Sequence, residues 1–72
     1  MSELQLKIQD LEYTVAELKK ELRRIKSVIN KVEKLGLSIP SELLFKKEDL
    51  EIILKERKQE LKLQKKIVEL IK

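Results

Sequence analysis

The sequence predicts an all-α fold: an antiparallel two-helix coiled-coil hairpin with a helix over about 2–35, a turn over 36–40 and a helix over about 41–72. The whole chain, 1–72, reads as a single helical-hairpin domain, completed to a four-helix bundle by dimerisation or by docking on a partner. Three observations point there. The composition is 42% hydrophobic and 42% charged with one Gly, one Pro, one Tyr and one Phe, a mixture that suits long helices better than a mixed globule. A heptad seam runs through the first half, and the only Gly and Pro fall together in the middle.

Helix one carries the stronger pattern. Leu4, Ile8, Leu11, Val15, Leu18, Leu22, Ile25, Ile29 and Val32 succeed one another at alternating steps of four and three, and Met1 extends the series. A 3.5-residue repeat held this long keeps one narrow stripe facing a partner helix. Ser2 and Gln5 match a capping box at its start, with Met1 placed to staple onto Leu6. At its end Gly36 stands where a left-handed cap residue is needed, and Leu37 is placed to pack back on Val32.

The residue before a proline avoids helical angles, so the chain is expected to be extended at Ile39. Pro40 suits the first turn of a new helix, with Ser41 or Ser38 as its cap. Lys46 and Lys47 lie close to the positive end of that helix, which leaves open a break near Phe45 with a restart at Lys47. Helix two has a weaker seam, Leu43, Leu50, Leu54, Leu61, Val68 and Ile71, whose register puts Lys47, Arg57 and Gln64 at core positions. With the turn centred on residue 38, residue i is expected roughly opposite residue 76 − i.

More apolar residues are present than two stripes require, and a helix in a bundle wants a wider apolar face than one in a two-stranded coil. Leu6, Tyr13, Leu63, Ile67 and Leu70 are expected to form a partner interface at the open end. Val28, Leu35, Phe45, Ile52 and Ile53 are expected to form a second one near the turn, and Leu44 is a further off-seam residue. The bland alternative is that these side chains only thicken the flanks of the hairpin. Arg57 and Gln64 are candidates for polar core residues that set register. Arg57 is expected to lay its methylenes on Leu18 or Leu22 and reach Glu17 or Glu21 with its guanidinium.

The net charge of +4 is mild, but its distribution is uneven. Residues 19–31 hold Lys19, Lys20, Arg23, Arg24, Lys26 and Lys31 against Glu21, and residues 57–66 hold Arg57, Lys58, Lys62, Lys65 and Lys66 against Glu60. Folding back sets the first group beside Glu48, Asp49, Glu51 and Glu56, and the second beside Asp10, Glu12 and Glu17. Complementary charges of this kind select antiparallel pairing and register. The alternative is phosphate binding through Lys19, Lys20, Arg23, Arg24, Lys58, Lys62, Lys65 and Lys66, although no aromatic platform for stacking bases accompanies them. A third reading takes residues 61–72 as a basic amphipathic stretch lying on an anionic membrane surface.

Catalysis is not expected. The chain has no His and no Cys, so the usual general base and nucleophile, the commonest transition-metal ligands and any disulfide framework are missing. The single Gly leaves no glycine-rich phosphate loop, and two packed helices are expected to leave no concave pocket of the usual ligand size. No cofactor or metal is expected; Glu17 with Glu21 and Glu56 with Glu60 are carboxylate pairs that solvated helix faces produce routinely. The longest apolar runs are three residues and the N-terminus lacks a basic, apolar leader, so the expected setting is cytoplasmic. Few Asn and Gln with abundant Lys, Glu and Ile fit either a heat-loving source or an AT-rich genome.

The plan of long helix, short turn and long helix resembles the Rop-type hairpins that dimerise into four-helix bundles, and also helical arms on larger complexes. The likeness spans the chain but rests on heptads and a turn, so it transfers no functional residue. The heptads and the surplus apolar residues lead to the expectation of a non-catalytic coiled-coil interaction protein, a small assembly or accessory subunit that dimerises into a four-helix bundle or docks on a larger protein through the open end.

Overall fold

The computed structural model describes residues 2–71 and consists of two helices, α1 (Glu3–Lys34) and α2 (Ser41–Ile71), packed against each other. The molecule measures 55 × 16 × 14 Å, with a radius of gyration of 16.5 Å. A compact domain of this length would have a radius of gyration of about 11 Å, so the hairpin is a rod two helices wide.

Local chemistry sets each helix end. Ser2 Oγ accepts from the Gln5 N–H at 3.2 Å while Gln5 Oε1 accepts from the Ser2 N–H at 3.2 Å, completing the capping box. Met1, with its seam position and its staple onto Leu6, lies outside the described residues. At the other end of α1, Gly36 adopts φ +73°. Its N–H donates to the Glu33 carbonyl at 2.9 Å and the Leu37 N–H donates to the Val32 carbonyl at 3.2 Å, the two bonds of a Schellman motif.

The hydrophobic part of that motif differs from expectation. The Leu37 side chain stays 62% exposed, and Ile39 is the connecting residue that packs on the core. The Ile39–Pro40 step starts the return path, which brings Ile39 over the end of the seam. Pro40 itself takes the cap position of α2: its carbonyl accepts from the Leu43 N–H at 3.0 Å and the Leu44 N–H at 3.4 Å, and Ser41 is already helical. α2 runs unbroken through Phe45. Lys46 and Lys47 each find a carboxylate, Glu21 at 4.0 Å and Glu51 at 3.9 Å, which offsets their unfavourable place near the helix N-terminus.

The heptad seam is the core. Leu11, Val15, Leu22, Ile25 and Ile29 of α1 and Leu50 and Leu54 of α2 are buried, with Leu18, Leu43 and Leu61 packed around them. The imbalance between the helices follows from the interrupted stripe of α2. Lys47 and Gln64 are half-buried, whereas Arg57 is exposed and its Nη1 donates to Glu60 Oε2 on its own helix at 3.2 Å. The expected reach of Arg57 to Glu17 or Glu21 is therefore not made, because a partner one turn away costs less side-chain ordering than one across the seam. The core thins toward the open end, where Leu4, Ile8 and Val68 are half-buried and Ile71 is exposed.

Among the described residues two ion pairs cross between the helices, Lys65 with Glu12 at 3.8 Å and Lys46 with Glu21 at 4.0 Å. Relative to a pairing of i with 76 − i, the first falls within one residue and the second is off by nine. In heptad terms the first joins the e positions on one flank and the second the g positions on the other, and the two flanks are displaced in opposite senses. Together they set the axial register near i opposite about 72 − i, roughly one helical turn from the sequence expectation.

Candidate interaction surfaces

Among the described residues, seven large apolar side chains are buried, eight are half-buried and thirteen are exposed, so nearly half of them lie outside the core of the hairpin. Every residue expected at an interface is among the exposed: Leu6, Tyr13, Leu63, Ile67 and Leu70 toward the open end, and Val28, Leu35, Phe45, Ile52 and Ile53 toward the turn. Their distribution is uneven. Eight of the thirteen belong to α2, namely Leu44, Phe45, Ile52, Ile53, Leu63, Ile67, Leu70 and Ile71. α1 carries Leu6, Tyr13 and Val28, and the connection carries Leu35 and Leu37.

Burial establishes the heptad, and the heptad shows which of these residues share a face. Leu6 and Tyr13 occupy the position most remote from the seam of α1, on the back of that helix, and Tyr13 is 70% exposed. Leu63, Ile67 and Leu70 lie on the outer half of α2. The two groups line opposite sides of the rod and do not form the single open-end patch that axial proximity implied. The turn group divides in the same manner: Val28, Leu35 and Ile53 sit on one flank, and Phe45 and Ile52 on the back of α2. The sequence holds the signal for this division, since it needs only the heptad position of each off-seam residue.

A cleft of about 290 Å³ opens between the helix ends, lined by Ser2, Leu4, Gln5, Val68 and Ile71. Another, of about 370 Å³, lies on the surface among Lys62, Lys65, Lys66 and Glu69. Surface clefts of this size were not expected from two packed helices; both are open to solvent, and the ends of seam side chains line the first.

The charged residues also sort by heptad position. Lys65 engages Glu12 as the expected complementarity requires. The matching contact of the first basic group with the acids of α2 is absent: among the described residues, Lys19, Lys20, Arg23, Arg24, Lys26 and Lys31 form no ion pair within 4 Å. Lys20, Arg23, Arg24 and Lys31 occupy outward positions that point away from α2, and Glu51 is taken by Lys47 of its own helix. Of the other candidate phosphate contacts, Lys58, Lys62 and Lys66 are exposed on α2. The carboxylate pairs are each half-occupied, Glu21 by Lys46 and Glu60 by Arg57. Among the described residues no group of three or more carboxylates gathers closely enough to hold a metal ion. No described helix is long and apolar enough to cross a membrane. No protein-family model matches the chain, and neither a curated protein nor a solved structure shows a significant match to it.

Proposed function

We propose that the chain is a non-catalytic coiled-coil interaction protein, a small assembly or accessory subunit that works by packing helix against helix. The observation that carries this is the apolar imbalance: exposed large side chains outnumber buried ones, and they concentrate along one helix instead of scattering. Large apolar side chains left exposed in such number on one helix mark a site of association. A second copy of the chain or a face of a larger protein would bury it, as in the dimerising hairpins that the architecture resembles.

Sedimentation equilibrium between about 1 and 100 µM, together with the mass of the complex recovered from the native source, tests it. A dimer, or a defined complex bound through α2, is the expected result. A chain that stays monomeric over this range and is recovered alone overturns it.

One observation favours a second reading, phosphate binding on the back of α1. Lys20, Arg23, Arg24 and Lys31 are exposed there and hold no acidic partner among the described residues. Affinity for DNA or RNA would then fall with log salt at a slope of about 0.9 per phosphate neutralised, and Arg23→Ala with Arg24→Ala would lower both affinity and slope.

A further inference from the structure

The back of α2 carries a second heptad row. Phe45, Asp49, Ile52, Glu56, Gln59, Leu63, Lys66 and Leu70 follow one another at alternating steps of four and three, opposite the seam that faces α1, and all eight are exposed. This stepping marks a stripe able to pair with another helix along its length. α1 has no equal: the heptad position that holds Leu6 and Tyr13 continues with Lys20, Ser27 and Lys34.

The order of residues in the row specifies the occupant. Laid antiparallel on a second copy of itself, about an axis between residues 57 and 58, the row sets Phe45 against Leu70, Asp49 against Lys66, Ile52 against Leu63 and Glu56 against Gln59, each pair occurring twice. Apolar residues oppose apolar ones, and charges oppose either the opposite charge or an amide. In a parallel pairing Asp49 would face Asp49 and Lys66 would face Lys66. A shift of one heptad toward the turn brings Lys66 to Glu42, one step before the row, but sets Ile52 against Glu56 in two places and leaves Leu70 unmatched. Ile53 and Ile67 border the row on one side and widen its apolar part. Glu56 and Gln59 make its centre polar, the kind of interruption that favours one register over its neighbours at some cost in stability. Self-complementarity about a twofold axis is what an isologous dimer requires.

From this juxtaposition we infer that two copies join back to back through α2, antiparallel, giving a flat four-helix array with α2 helices inside and α1 helices outside rather than a square bundle. The inference rests on the interaction reading above and names its partner and its face.

Charge exchange tests it. Asp49 and Lys66 are exposed and take part in no ion pair of the hairpin among the described residues, so reversing either leaves the monomer fold intact, which circular dichroism would verify. Asp49→Lys and Lys66→Asp should each raise the dimer dissociation constant about tenfold or more, through two symmetry-related repulsions. Both substitutions in one chain should return it to within about threefold of the native value. The chain has no native cysteine, so mixing Ile52→Cys and Leu63→Cys chains should give the mixed disulfide dimer in preference to either like dimer. A native dimer whose dissociation constant none of the three charge variants moves overturns the α2 contact and leaves the interaction reading standing. A native chain still monomeric at about 100 µM overturns the contact and its second-copy basis together.

Discussion

Replacing Gly36 by alanine isolates the energy held in the turn. The backbone there sits at φ +73°, and a methyl group built on the glycine meets nothing within 4 Å. No collision contributes, and the cost is the backbone preference alone. A non-glycine residue in the left-handed region loses about 1–2 kcal/mol. Part of this returns because alanine has fewer unfolded conformations than glycine, worth about 0.4–1 kcal/mol. The net expectation is about 1 kcal/mol of destabilisation, or a melting temperature lower by about 4–8 °C for a chain of this size. Gly36→Asn should lose about half as much, because asparagine tolerates the left-handed region better. Thermal and urea unfolding followed by circular dichroism would measure both, at one fixed protein concentration so that association does not enter the difference. The reasoning fails if Gly36→Ala is as stable as the native chain. It fails equally if the loss exceeds about 3 kcal/mol, which would mean that side chains crowd the turn.

Three further outcomes follow from the same structure. Leu22→Ala, at a buried seam position, should cost about 2–3 kcal/mol in urea unfolding, whereas Tyr13→Ala on the back of α1 should change the isolated hairpin by no more than about 0.5 kcal/mol. Ser2→Ala removes the side-chain half of the capping box and should cost about 1 kcal/mol, with loss of helical signal confined to the first turns of α1 as read by amide exchange. Arg57→Leu should raise stability by up to about 1 kcal/mol, because the exposed pair with Glu60 contributes little while a leucine would extend the apolar stripe of α2; a loss in chemical denaturation would show that the arginine does more than its exposed position indicates.

Much of the hairpin can be read from residues within a few positions of one another. Ser2 with Gln5, and Gly36 after Lys34, mark the ends of α1 because capping bonds span three to five residues. The regular steps from Leu4 to Val32 identify the buried stripe because helix geometry brings every third or fourth residue to one side. Heptad position also carries the outward placement of Tyr13 and of Arg23, although it becomes informative only once the seam is known to be buried.

What the tertiary structure decided is how far one helix slides along the other. That offset depends on the path from Leu35 to Pro40, where Ile39 rather than Leu37 turns inward, and on interdigitation of side chains from both helices. Neither is a property of any short segment. The partners of long charged side chains follow from the offset: Glu21 meets Lys46, while Arg57 settles on Glu60 of its own helix. Local hydrogen bonds and periodicity determined where α1 begins and ends and which of its sides is buried. Its neighbour across the seam was determined by packing, whose energy depends on both helices at once.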